Sequence, residues 1–184
     1  GKSCWSCQGL VTGGAFCPTC QVIQPPDLEL DFFQLFGLPT GFPLRVEQVD
    51  QPYQLLQKQL HPDRFATRSA TERRLSLEHV TRLNRAYQTM LDPLARSEYL
   101  LERLGHRPAE PGQSEPYDPD FLMEVMEHRE ALEAVDLAAA GAVAQLGQLR
   151  GQAEQCIGRG EAELTRLFAA CLSAVDPELL QRIA

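Results

Sequence analysis

Nothing in this sequence approaches the run of about 18 consecutive apolar residues that marks a membrane-spanning helix. The best stretch, Leu137 to Ala144, is short and mostly alanine, so a soluble protein without membrane contact is expected. A surplus of positive charge is missing too. Lys plus Arg number 17 against 25 Asp plus Glu, for a net charge of −8. That balance disfavours a duplex-coating protein, which must neutralise phosphates. Strand-like alternation is absent beyond the first twenty residues, and no serine or cysteine pairs in sequence with a histidine beside an oxyanion motif, so a nucleophilic enzyme is not indicated. With 184 residues, 43% of them hydrophobic and 23% charged, the chain can bury a core and is sized for one domain or two small ones. It begins at Gly1, so targeting is not read from its first residues.

What is present is unevenly placed. Four of the six cysteines fall in the first twenty residues as Cys4-Trp-Ser-Cys7 and Cys17-Pro-Thr-Cys20. A Cys-x-x-Cys pair turns tightly enough for both sulfurs to reach one ion, and a second pair completes a tetrahedron of thiolates suited to one structural zinc ion. Two disulfides, or a single iron in the same cage, are the alternatives. Thr12-Gly13-Gly14 favours a reversal joining the pairs, and Gly9 is suited to the positive φ often needed after such a knuckle. With four thiolates and no open position, such a site is structural, which excludes a zinc hydrolase. Cys156 and Cys171 lie alone in helical patterns and are expected to be small buried hydrophobes.

The remainder predicts helices. Asp31 caps a short one over Phe32 to Phe36, closed by Gly37 and Pro39. Apolar residues at Val46, Val49, Tyr53, Leu56 and Leu60 recur every three or four positions. That amphipathic helix must stop at Pro62, because His61 precedes a proline and is pushed out of the helical region. A second long pattern covers 71–91, and Asp92-Pro93 opens a helix through Leu104. Residues 105–118, with four prolines between Pro108 and Pro119, read as a linker ahead of helical patterns from Asp120, around Leu137 to Ile157, and from Glu161 to Val175, with a last turn or two after Asp176-Pro177. Glycines 141, 147 and 151 weaken the middle one by about 1 kcal/mol each relative to alanine, so it should depend on packing in a three-helix bundle.

His61-Pro62-Asp63 sits between the two long helices. Around it, Asp31-Phe-Phe-Gln-Leu-Phe-Gly37, the helix Val46 to Leu60, Arg64-Phe65-Ala66 and Leu83-Asn84-Arg85-Ala86-Tyr87 resemble a J domain. The resemblance implies that the tripeptide engages a DnaK-class heat-shock chaperone and stimulates its ATP hydrolysis, with Asp63 offering a carboxylate to a chaperone arginine, Pro62 fixing the loop and His61 anchoring it. The J domain itself hydrolyses nothing, so the chain is expected not to be an enzyme. Residues 58–85 hold seven Lys/Arg against three Asp/Glu, and such a patch steers toward an acidic partner. Lys58 and Arg64, flanking the tripeptide, are the candidates within it.

No Gly/Phe-rich tract follows, and the two Cys-x-x-Cys pairs precede the J domain. The whole arrangement resembles the HscB-type co-chaperones of iron–sulfur cluster assembly, whose metazoan mitochondrial forms carry an N-terminal four-cysteine module. That implies a mainly α protein with a zinc-binding β-hairpin module at 1–26, a J domain at 30–104, a linker at 105–118, and a C-terminal three-helix bundle at 119–184 that binds the cluster scaffold protein. It also implies the mitochondrial matrix, with the cytoplasm as a second compartment. Phe121-Leu-Met-Glu-Val-Met-Glu127 is apolar over more of its circumference than one bundle interface uses, and the resemblance assigns Leu122, Met123, Met126, Glu127 and Glu130, with Phe168 on a neighbouring helix, to the scaffold contact. A homodimer is left open. The competing reading, a zinc module acting as a nucleic-acid or protein adaptor, is weakened because Lys2 is the only basic residue among the first twenty. No nucleic-acid partner is expected.

Overall fold

Each cysteine pair sits at the tip of its own short ladder. β1 (Lys2–Ser3) and β2 (Leu10–Val11) pair antiparallel around the first, with Lys2 opposite Val11 and Ser3 opposite Leu10, and an isolated bridge between Phe16 and Ile23 flanks the second. Gly13 and Gly14, at φ of 131° and 82°, make the expected reversal between them. The computed structural model describes residues 2–106 and 119–174. No helix among them is long and apolar enough to cross a membrane.

The helices begin where side chains can satisfy their orphan amides. α1 (Phe32–Leu35) is capped reciprocally by Asp31 and Gln34, and Gly37, at φ of 67°, ends it. α2 spans Val46–Leu60, α3 spans Ala70–Leu91 behind a Ser69/Glu72 capping box, and α4 spans Pro93–Arg103, with Asp92 accepting from the Leu94 and Ala95 amides. α2 and α3 run antiparallel: Leu60 meets Ser76, Tyr53 meets Asn84, and Asp50 meets Tyr87. Their core joins Val49 of α2 and Leu83, Ala86 and Met90 of α3 to Phe33, Phe36, Phe42 and Leu100. Each buried Val, Leu, Met or Phe side chain in this set contributes about 1.5–3 kcal/mol. Tyr53 and Tyr87 stack at 4.0 Å between ring centroids beside this core.

The C-terminal part departs from expectation. α5 (Pro119–Glu133) starts as predicted, but the patterns expected as separate helices at 137–157 and 161–175 run together as α6 (Ala142–Ala174). Thirty-three residues of helix extend about 50 Å. Gly158 and Gly160 lower propensity without removing an N–H, and no proline intervenes, so nothing forces a break. The described residues therefore show two C-terminal helices where three were expected. The turn expected after Asp176-Pro177 and nearly all of the linker at 105–118 lie outside the described residues. α5 lies along α6, where Glu124 accepts from Arg159 Nη2 at 2.7 Å and from the Cys156 thiol at 3.1 Å. Further along α6, Phe168 and Leu164 pack into the α1–α4 core.

Candidate metal centre and docking surfaces

The two knuckles repeat one backbone pattern. In the first, Gln8 N–H donates to the Cys4 carbonyl at 3.0 Å and Cys4 N–H to the Gly9 carbonyl at 2.8 Å; in the second, Gln21 N–H donates to Cys17 at 2.9 Å and Cys17 N–H to Val22 at 3.0 Å. The left-handed residue after each pair is a glutamine, Gln8 at φ of 62° and Gln21 at 58°. That corrects the expectation for Gly9. Its role is close approach: a Cβ there would lie 3.1 Å from Thr19 Oγ1 and 3.2 Å from Cys7 Sγ.

All four sulfurs lie within 4.8 Å of one another, with Cys4 and Cys20 at 3.7 Å and Cys7 and Cys17 at 3.7 Å. Zn–S bonds of about 2.3 Å in a tetrahedron place sulfurs about 3.8 Å apart. A disulfide needs about 2.05 Å, so the disulfide alternative does not describe this arrangement. The cluster is positioned to ligate a metal ion, with the closed donor set of a structural zinc site. Burial pushes the Cys4 thiol up, but the Cys7 and Ser6 N–H groups aimed at its sulfur outweigh that and bring it down to about 6. The Cys20 N–H, together with that of Thr19, lowers Cys17 against burial. At Cys20 the Val22 N–H favours the thiolate, yet burial and the neighbouring thiols push it up to about 12. Part of the cluster is therefore primed as thiolate, and a cation relieves the crowding of the rest. Gln24 Nε2 donates to Cys4 Sγ at 3.2 Å from a buried side chain, an outer contact that sequence spacing does not announce.

At the second site, Leu60 and Phe65 are buried on either side of the tripeptide, and Ser76 Oγ donates to the Leu60 carbonyl at 2.6 Å. His61 leaves the helix at φ −56° and ψ 131° and caps a 3₁₀ turn over Pro62–Phe65, with Pro62 in its first position and His61 Nδ1 accepting from Asp63 N–H at 3.3 Å. The anchors face inward and the tripeptide outward: the Asp63 side chain is 92% exposed, and among the described residues no Lys or Arg pairs with it. Of the basic residues between 58 and 85, Arg82 is occupied by the carbonyls of Asp27 and Leu30, and Arg74 by Glu78. Lys58, Arg64, Arg68 and Arg85 are exposed. The structure thus brings His61, Pro62, Asp63, Lys58 and Arg64 onto one end of the helix pair.

The third surface is on α5. Leu122, Met123 and Met126 are 44%, 60% and 61% exposed, with Glu127 and Glu130 exposed along the same helix. Phe168 does not join them. It is 4% exposed and stacked on Phe42, so the expectation of a scaffold contact there is corrected to a core role. The lone cysteines also differ from expectation: Cys171 is exposed, and Cys156 is half-buried, hydrogen-bonded to Glu124 and Arg159. The Glu124 carboxylate holds the Cys156 thiol above its ordinary value, while the Cys156 thiol and then Arg159 hold Glu124 below its own. This link between α5 and α6 was not legible in the sequence, since no spacing rule connects residues on different helices.

Comparison with known proteins covers all three regions. Residues 117–182 match the model of the HSCB C-terminal oligomerisation domain. The human iron–sulfur cluster co-chaperone protein HscB is 39% identical over 141 residues, covering 74% of this chain and 60% of that protein. A co-chaperone protein HscB homolog from Bordetella pertussis is 41% identical over 130 residues, covering 69% of this chain and 76% of the relative. The crystal structure of human co-chaperone protein HscB superposes with a TM-score of 0.79 at 30% identity, over 99% of this chain and 88% of that one. Chaperone HscB from Vibrio cholerae gives 0.65 at 36% identity, over 84% and 89%. The match thus spans about three fifths of the human relative's length and three quarters of the bacterial one's, and on these grounds the chain belongs to the HscB family of co-chaperones.

Proposed function

We propose that this chain is a non-enzymatic co-chaperone that stimulates the ATPase of a DnaK-class heat-shock chaperone and delivers the iron–sulfur cluster scaffold protein to it during cluster assembly and transfer. The observation that carries this reading is the exposed His61-Pro62-Asp63 turn at the end of an antiparallel helix pair, with the Asp63 carboxylate offered outward and basic side chains beside it. A carboxylate on a preformed turn suits bidentate pairing with a partner arginine. Lys58 and Arg64 add electrostatic steering toward an acidic surface. The zinc module occupies 1–26, the J domain 30–104 and the scaffold-binding part 119–184.

The scaffold surface is Leu122, Met123, Met126, Glu127 and Glu130. Exposed methionine and leucine edged by carboxylates form an adaptable apolar contact. Phe168 supports this surface only by anchoring α6. We place the protein in the mitochondrial matrix on the strength of the four-cysteine module before the J domain, while relatives in Bordetella and Vibrio carry the fold in cells without that organelle.

The test measures ATP hydrolysis by a purified DnaK-class chaperone together with capture of the scaffold. Asp63→Asn is expected to abolish stimulation and keep scaffold binding, and Met123→Ala with Met126→Ala to do the reverse. An Asp63→Asn chain that stimulated like the parent would overturn the first half, and unchanged scaffold affinity in the methionine variant the second.

A further inference from the structure

The residues that hold the tripeptide in place are shared with the cysteine module. Ile23 is fully buried against Leu60, Phe65 and Leu75, and Ala15 and Phe16 pack on the same cluster. Leu60 immediately precedes His61, and Phe65 follows Arg64. The second knuckle meets the same region from outside: Cys20, Gln21 and Val22 line a crevice of about 470 Å³ with Gln59, Arg64 and Arg68. A polar contact also fastens the module, His79 Nε2 lying 2.8 Å from the Gln24 carbonyl, and the segment just after it is held by Arg82, which reaches the carbonyls of Asp27 and Leu30. Trp5 Nε1 donates to the Ile23 carbonyl at 2.7 Å, tying the first knuckle to the residue that enters the cluster.

We propose that the four-cysteine module braces the His61-Pro62-Asp63 turn, with Ile23 as the positioning residue that fixes Leu60 and Phe65 and so sets the direction in which Asp63 is presented. The turn has only four residues, held within itself by the Arg64 N–H bond to the His61 carbonyl at 3.0 Å and by longer 3.3 Å bonds at Asp63 N–H and Ala66 N–H, so what lies beneath it shares in setting its geometry. Module residues supply part of that floor. Metal binding, by folding the knuckles, organises the segment that carries Phe16 and Ile23.

This inference rests on the reading of the tripeptide as the chaperone-facing site, and the experiment separates the two. The zinc-loaded chain, Ile23→Ala, Ile23→Val and His79→Ala are compared by hydrogen exchange and by titration into a DnaK-class chaperone ATPase assay. In Ile23→Ala, the amides of Asp63, Arg64 and Ala66 should exchange faster while those around Tyr53 and Leu83 stay protected. If the competent turn falls to a third or a tenth of the population, the half-maximal concentration rises roughly three- to tenfold with maximal stimulation unchanged. Ile23→Val should restore both readouts. His79→Ala loosens the module without touching the cluster and should shift both in the same direction, which keeps the test decisive if Ile23→Ala fails to fold. Parent-like exchange and half-maximal concentration in Ile23→Ala overturn the proposal, as does a uniform loss of protection across α2 and α3. If the parent chain itself gives no stimulation, the functional reading fails, and the exchange data alone decide on the brace.

Discussion

Phe168 of α6 stacks on Phe42, with ring centroids 5.6 Å apart and planes 13° from parallel, while the Arg96 guanidinium lies over the same Phe42 ring, 4.8 Å from its centroid. Phe42 stands in the segment between α1 and α2, so one aromatic contact ties the long C-terminal helix to the core that carries the tripeptide. Phe168→Ala should therefore lower stability by about 3 kcal/mol, and Phe168→Leu by about 1, from lost burial and a residual cavity. Urea unfolding of the three chains checks the ranking. A Phe168→Ala midpoint equal to the parent's would mean that α6 leaves this contact in solution.

Removing the metal should act on the module and leave the long helices folded. Chelation deprives the knuckles of the interaction that organises them, whereas the α1–α4 core has its own buried set. Trp5 is the single tryptophan and its indole N–H is bonded to the Ile23 carbonyl. Its emission should shift to the red on chelation and return when zinc is restored, with helical circular dichroism nearly constant. Because the ligands bind as thiolates, the chelator concentration needed should fall as pH is lowered. A fluorescence spectrum indifferent to chelation would contradict the arrangement of Trp5 against Ile23.

His79 makes the contact between module and α3 sensitive to acid. Burial first, and Arg82 in addition, hold its imidazole below the ordinary value, against the opposing effects of the Gln24 carbonyl and Glu78. The unfolded chain, with a histidine pKa of about 6.5, takes up the proton first as pH falls. Stability from this group is therefore complete above about pH 6.5 and is lost as pH drops through the lower folded value. Urea midpoints should decline as pH falls below about 6.5, and His79→Gln, which keeps an N–H for the Gln24 carbonyl without titrating, should flatten part of that decline. An identical pH slope in the variant would assign the acid sensitivity elsewhere.

Local rules carried most of the sequence reading. The caps at Asp31 and Asp92, the helix end before Pro62 and the long helical pattern over 71–91 are decided within a few residues, and the structure has them as expected. The four cysteines were legible for the same reason, since paired spacing constrains geometry directly. What failed depended on distant partners or on competition between small effects. Phe168 has the same helical periodicity whether it meets Phe42 or solvent, so its burial was invisible. Spacing after the first cysteine pair suits Gly9 to a positive φ, but its value lies in the approach of Thr19 from the other knuckle. Ile23 sits in an unremarkable Gln-Val-Ile-Gln stretch, and only the fold brings it beneath Leu60 and Phe65. Gly158 and Gly160 lie in the gap between the patterns that end at Ile157 and begin at Glu161, and helix continuity runs through that gap.

Those α6 glycines yield the last prediction. Ideal Cβ atoms at Gly147, Gly151, Gly158 and Gly160 meet nothing within 4 Å, and none of the four has a positive φ. Alanine at each position should restrict the unfolded chain and improve helix propensity without a clash, a gain of about 0.5–1 kcal/mol per site. Gly147 and Gly160 are about 20 Å apart along the helix at 1.5 Å per residue, so their effects should add. Gly141, just before the helix, has φ of 110°, where alanine is strained, and Gly141→Ala should destabilise instead. Thermal unfolding of Gly147→Ala, Gly160→Ala, the double variant and Gly141→Ala separates the two cases. A continuous α6 requires that the first three raise the melting temperature. If Gly160→Ala lowered it while Gly147→Ala raised it, the chain would bend or break near Gly160, as the sequence pattern alone had indicated.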